Sequence, residues 1–116
     1  MASSRIKGIT IEIGGDVTGL NKALQSTNKQ IRDTQSQLKD VEKLLKLDPT
    51  NTELLAQKQR LLSQQVEQTT DKLKTLRNAE KQVQQQFAEG KVSREQYEGL
   101  QREIAATEIA LGGAEK

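Results

Sequence analysis

The chain has 116 residues, a nearly balanced net charge of +2, one Phe, one Tyr and no Trp, and its mean hydropathy is -0.76. That is too few bulky side chains for a broad globular core and too balanced a charge for a polyanionic disordered tail, so the core has to be thin and elongated. With no Cys and no His, a disulfide framework, a Cys-based metal site and the usual nucleophile–base pairings are excluded, and Lys and Arg interleaved with acids make no clustered basic face for nucleic acid.

From the N-terminus, Ile6-Lys7-Gly8-Ile9-Thr10-Ile11-Glu12-Ile13 alternates with period two. This predicts a strand over residues 6–13, with Ile9, Ile11 and Ile13 on one face. Gly14-Gly15 ends it, and Asp16 or Thr18 is placed to cap a following helix. No other segment has this alternation, and a solitary strand leaves its backbone groups unpaired. It is therefore expected to pair with the same strand in another copy, to add to a partner's sheet edge, or to stay mobile until assembly. Residues 1–15 form an N-terminal arm in this reading, and Ile9, Ile11 and Ile13 are its candidate assembly residues.

Two heptad-patterned arms follow, expected as helices over about 17–47 and 51–89. On the first, positions 17, 20, 24, 27, 31, 34, 38, 41 and 45 alternate steps of three and four and are mostly apolar; on the second, 55, 59, 62, 66, 69, 73, 76, 80, 83 and 87 do the same. These are a/d seams. Asp48-Pro49 stops the first helix, because Pro49 lacks a donor and restricts the residue before it. Thr50 and Glu53 have capping-box spacing for the second. Folded about residues 48–50, the arms make an antiparallel hairpin spanning 16–89 in which facing positions sum to 100. Leu45 then faces Leu55, Val41 faces Gln59, Leu38 faces Leu62, Thr34 faces Val66, Ile31 faces Thr69, Leu24 faces Leu76 and Leu20 faces Glu80. The expected seam is Leu20, Leu24, Ile31, Leu38, Val41, Leu45, Leu55, Leu62, Val66, Leu73, Leu76 and Val83. Its Thr layers either hold hydroxyls that donate to the carbonyl one turn back or leave room for a third helix or a second hairpin, and Glu80 marks an open edge or the place where the third helix folds back along the second.

Gly90 suits a left-handed helix end. Ser93 and Gln96 repeat the capping-box spacing, with Val92 and Tyr97 placed as a hydrophobic staple. A shorter third helix is predicted over about 94–111 within a terminal unit 90–116, weakened by Gly99 and ended by Gly112-Gly113 with a frayed end beyond. The fold class is mainly α: an N-terminal strand, a long antiparallel coiled-coil hairpin and a short third helix.

The 16 carboxylates lie on a thin helical rod that offers no desolvating pocket, so they read as a solvated face. Gly14-Gly15 lacks the spacing of a phosphate-binding loop. No catalytic residue, cofactor site or metal site is expected. No apolar run reaches the roughly 18 residues that span a bilayer, and Met1-Ala2-Ser3-Ser4-Arg5 lacks the apolar core of a signal peptide, so a cytoplasmic location is expected.

The order of the pieces is more specific than any one of them. An Ile-rich strand, Gly14-Gly15-Asp16, a heptad helix, Leu47-Asp48-Pro49-Thr50-Asn51, a second heptad helix and Gly90-Lys91-Val92-Ser93 follow one another. From the strand to about Tyr97 this resembles the N-terminal region of phage tail tape measure proteins, especially those of siphophages and prophages of Gram-positive bacteria. The resemblance implies a structural protein, present in several copies inside the tail tube, that scaffolds tube assembly and sets tail length. It implies a homo-oligomer with other phage tail proteins as partners, in the host cytoplasm during assembly and then in the virion tail. It carries over no catalytic residues, and neither nucleic acid nor a small-molecule substrate is expected. The competing class is a cellular coiled-coil binding module, such as a prefoldin-like chaperone arm or a secretion-associated helical hairpin.

Overall fold

The computed structural model describes residues 5–115; residues 1–4 of the expected arm and Lys116 lie outside the described residues. The chain forms strands β1 (Thr10–Ile13) and β2 (Asp16–Gly19), then helices α1 (Leu20–Leu47), α2 (Thr52–Ala88) and α3 (Arg94–Glu115). The fold is mainly α, with two long antiparallel helices and a shorter third, in a body measuring 57 × 25 × 19 Å.

The strand is not alone, and this is the largest correction to the sequence reading. β1 pairs antiparallel with β2, Ile13 opposite Asp16 and Ile11 opposite Thr18. Gly14 and Gly15 have φ of +58° and +87°, and positive φ at both central residues is what a tight two-residue hairpin requires and what glycine supplies without steric cost. Val17 and Thr18 are β-branched and extend readily, so Asp16-Val17-Thr18-Gly19 becomes a partner for β1 rather than a helix start. α1 consequently begins at Leu20, with Gly19 as an N-cap that has no side-chain bond. The expected regular strand over 6–13 also shortens, because Gly8 takes φ +81° and the Ile9 N–H donates to the Ile6 carbonyl at 3.2 Å, making a turn.

The connection between α1 and α2 is capped one residue later than the spacing predicts. The Asp48 N–H returns to the Leu44 carbonyl at 3.0 Å, and the Asn51 N–H donates to the Asp48 carbonyl at 3.2 Å. This turn leaves Asn51 extended, and its Oδ1 accepts from the Leu54 N–H at 2.9 Å, so Asn51 rather than Thr50 is the cap. At the other end of α2 the Lys91 N–H donates to the Gln86 carbonyl and the Gly90 N–H to the Phe87 carbonyl, with Gly90 at φ +76°. That is the two-bond closure of a helix that ends in a left-handed glycine. Ser93 and Gln96 then satisfy each other reciprocally at 3.1 and 2.9 Å, as their spacing predicts, and Phe87 stacks tilted on Tyr97 with ring centroids 5.1 Å apart. α3 runs through Gly112-Gly113 to Glu115, beyond its expected end.

Two apolar clusters hold the body together. The tip is a two-helix stalk around Leu38, Val41 and Leu61, with Leu45, Leu54 and Leu62 packed on it. The base is a bundle of three helices closed by the ribbon, its cluster made of Ile6, Ile9, Ile11, Leu20, Leu24, Leu76, Ala79, Val83, Val92, Leu100 and Ile104. Between the clusters lie buried Thr34 and Thr69. The Thr34 hydroxyl pairs with Gln68 Oε1 at 3.0 Å across the hairpin, not with a carbonyl one turn back.

Along α2 the buried stripe leaves the predicted heptad positions near the tip. Leu61 is buried and Leu54 half-buried, whereas Leu55 is 43% exposed. From Leu54 to Val83 is 29 residues, about eight turns at about 3.6 residues each, while four strict heptads from Leu55 reach the same Val83. A strict heptad seam requires supercoiling, and a straight helix drifts out of it by about 20° per heptad. The stripe of α2 follows the straight helix.

Candidate functional site

The expected assembly residues are split by the fold. Ile9 and Ile11 are buried in the base core, each 1% exposed, and Ile13 is 46% exposed beside the ribbon turn. In a two-residue hairpin the pair flanking the turn is hydrogen-bonded, so alternate pairs along the ribbon point their N–H and C=O groups outward. Glu12 and Thr10 are the outward residues of β1, and helix α2 covers them. Gln82 Oε1 accepts from the Glu12 N–H at 2.6 Å while its Nε2 donates to the Glu12 carbonyl at 2.9 Å, and Gln86 Nε2 donates to the Thr10 carbonyl at 3.0 Å. Two side-chain amides, one helical turn apart, stand where a neighbouring strand would lie. The β1 edge is closed.

Among the described residues the β2 edge has no such cover. Val17 faces Glu12 in the register, so its own N–H and C=O point away from β1, and its side chain is 72% exposed. Among the described residues, no group of the chain hydrogen-bonds to Val17 from outside the ribbon. Val17 was expected at the head of the first heptad helix; it is instead the centre of an open strand edge.

A second site, invisible to the seam argument, joins the arm to the base. Glu103 on α3 is 2% exposed, yet its carboxylate is paired twice: Oε1 with Arg5 Nη1 and Oε2 with Lys72 Nζ, each at 2.9 Å. Lys72 comes from α2 with a side chain 12% exposed, and Arg5 from the segment before β1. The Thr107 hydroxyl donates to the Glu103 carbonyl at 2.8 Å. Three parts of the chain are thus tied at one carboxylate. Beside it, a groove of about 390 Å³ opens between the helices, lined among others by Ile31, Arg32, Thr69, Ala106 and Ala110. Nearby, Gly99 of α3 lies directly under the backbone of Arg5. The sequence carried one signal for this site: Leu100, Glu103, Ile104 and Thr107 share a helical face, and a carboxylate there needs a cation.

The expected seam residues fall into place unevenly. Leu20, Leu24, Leu76 and Val83 lie together in the base cluster, with Leu73 packed on it. Leu38 and Val41 lie in the tip cluster, with Leu45 and Leu62 packed on it. Ile31 and Val66 are half-buried between them, and Leu55 is exposed. Glu80 pairs with Arg77 at 3.2 Å, and Arg77 also reaches Glu108 of α3 at 2.6 Å. Glu80 therefore sits where the third helix returns along the second. Leu44 and Leu47 are exposed at the tip, Leu47 at 84%.

Among the described residues no helix is long and apolar enough to cross a membrane. Comparison of the chain with protein-family models, with curated proteins and with solved structures finds no match in any of the three.

Proposed function

We propose that this chain is a structural assembly unit, the N-terminal region of a phage tail tape measure protein. In this reading several copies associate through helical contacts inside the tail tube, scaffold tube polymerisation and contribute to setting tail length. The unit is not an enzyme; its partners are other copies and other tail proteins, first in the host cytoplasm and then in the virion. The observation that carries the reading is where the resembling segments fall. Gly14-Gly15 makes the ribbon turn, Leu47 to Asn51 the hairpin connection and Gly90 to Ser93 the reversal into α3. The pieces that follow one another in tape measure order are the joints of one elongated body.

One feature favours the cellular binding module as a second reading. Leu44, Leu47 and Leu55 expose apolar surface at the free end of the hairpin, as a helical arm that grips a partner through its tip would. Mass spectrometry of tail particles, purified from cells carrying the gene, separates the two. Peptides of this chain are expected in intact tails in a fixed ratio to the tube subunit. Their absence from tails, with the chain recovered in complex with a cellular protein, would support the binding module instead.

A further inference from the structure

We propose that the open edge of β2 is a self-association surface, and that its occupant is β2 of a second copy, joined antiparallel about a two-fold axis through Val17. The inference rests on the self-association in the reading above and adds a strand edge to its helical contacts. The ribbon has two edges, and among the described residues only the β1 edge is blunted. Gln82 and Gln86 occupy the outward groups of β1, which leaves β2 as the edge able to template a strand.

The register follows from which groups point outward. Val17 and Gly19 alternate with Asp16 and Thr18, whose backbone groups are turned toward β1. Gly19 is the N-cap of α1, so its carbonyl already takes part in the first helical turn. Val17 is therefore the residue about which two edges can exchange a pair of bonds, each N–H donating to the other copy's Val17 carbonyl. The sequence Gly15-Asp16-Val17-Thr18-Gly19 suits this centre. Asp16 comes opposite the second copy's Thr18, a carboxylate opposite a hydroxyl donor, and Gly15 opposite Gly19, with no side chain in the way. A parallel in-register arrangement would instead set Asp16 beside Asp16, and like charges across a strand pair are unfavourable. The result is a four-stranded sheet, β1-β2-β2-β1, closed at both ends by glutamines, with the exposed Val17 side chains brought together.

Sedimentation of the intact 116-residue chain over a concentration series tests it, with Val17→Pro and Val17→Lys as variants. Pro removes only an outward N–H, and proline is tolerated at an edge position of that kind, so the ribbon itself keeps its bonds. Lys keeps the N–H but sets two ammonium groups opposite each other. The wild-type chain is expected to dimerise, and each variant to raise the dimer Kd at least about tenfold with the helical circular dichroism unchanged; should Pro disturb the ribbon, Lys decides. A wild-type dimer whose Kd neither variant changes would overturn the β2 surface while leaving self-association standing. A wild-type chain that stays monomeric throughout would overturn both.

Discussion

Gly99→Ala is expected to destabilise the protein by about 2 kcal/mol or more, although the same change in an open helix stabilises by about 1 kcal/mol. The reason is the approach of the N-terminal segment. A Cβ on Gly99 would fall well inside van der Waals contact of the Arg5 carbonyl oxygen, with the Arg5 carbonyl carbon at 3.1 Å and its Cα at 3.5 Å. Those are backbone atoms, so no flexible side chain can swing aside. Either α3 or the segment carrying Arg5 and Ile6 has to move, and Ile6 is part of the base core. Gly113 on the same helix provides the contrast, since among the described residues nothing lies within 4 Å of its would-be Cβ; Gly113→Ala is expected to be neutral or stabilising by up to about 1 kcal/mol. Thermal melts of the two variants followed by circular dichroism check the sign of each.

Glu103→Ala is the second large effect, expected at about 3 kcal/mol. The carboxylate holds two cations, and its removal strands Lys72, whose side chain is largely out of water. Breaking one partner of a buried pair costs more than the pair itself contributes, because the remaining charge is left without compensation. Two companions show that this is the mechanism. Arg5→Ala should cost no more than about 1 kcal/mol, since Arg5 is 38% exposed and its pairing is screened. Combining Glu103→Leu with Lys72→Met removes both charges together, and that double variant should recover most of the loss, an interaction visible as non-additivity in a double-mutant cycle. Urea unfolding of Glu103→Ala, of Arg5→Ala, of the Glu103→Leu and Lys72→Met singles and of their double gives the comparison.

What the sequence showed and what it hid follow from the physics of each signal. Periodicity is a strong signal when it is long, and both helical arms, their antiparallel turn and the third helix are legible from it. The second strand has four residues with a single apolar one, Val17, and Asp, Thr and Gly mark helix N-caps as readily as hairpin strands. Nothing in Asp16–Gly19 distinguishes those outcomes until β1 needs a partner. The α2 seam was readable at its base but slipped near the tip, where Leu54 and Leu55 are both leucines and only the choice between straight and supercoiled helices decides which is inside. Gln82 and Gln86 carry no sequence signal of their role, because their partners are backbone atoms 70 and 76 positions away. Gly99 read as a weak point in a helix, and the structure gives it a purpose that depends on a segment more than 90 residues earlier.

Together these features convert an arm expected to pair between copies, to join a partner's sheet or to stay mobile until assembly into part of the core, which ties the ribbon, the hairpin base and α3 into one unit. Methyl-resolved nuclear Overhauser spectroscopy of the isotopically labelled chain tests that most directly. The prediction is cross-peaks from the Ile9 and Ile11 methyl groups to methyls of the base cluster, Leu76, Val83, Leu100 and Ile104, with the two isoleucines shifted from random-coil positions. Ile9 and Ile11 at random-coil shifts, without such cross-peaks while the helices remain folded, would contradict the account.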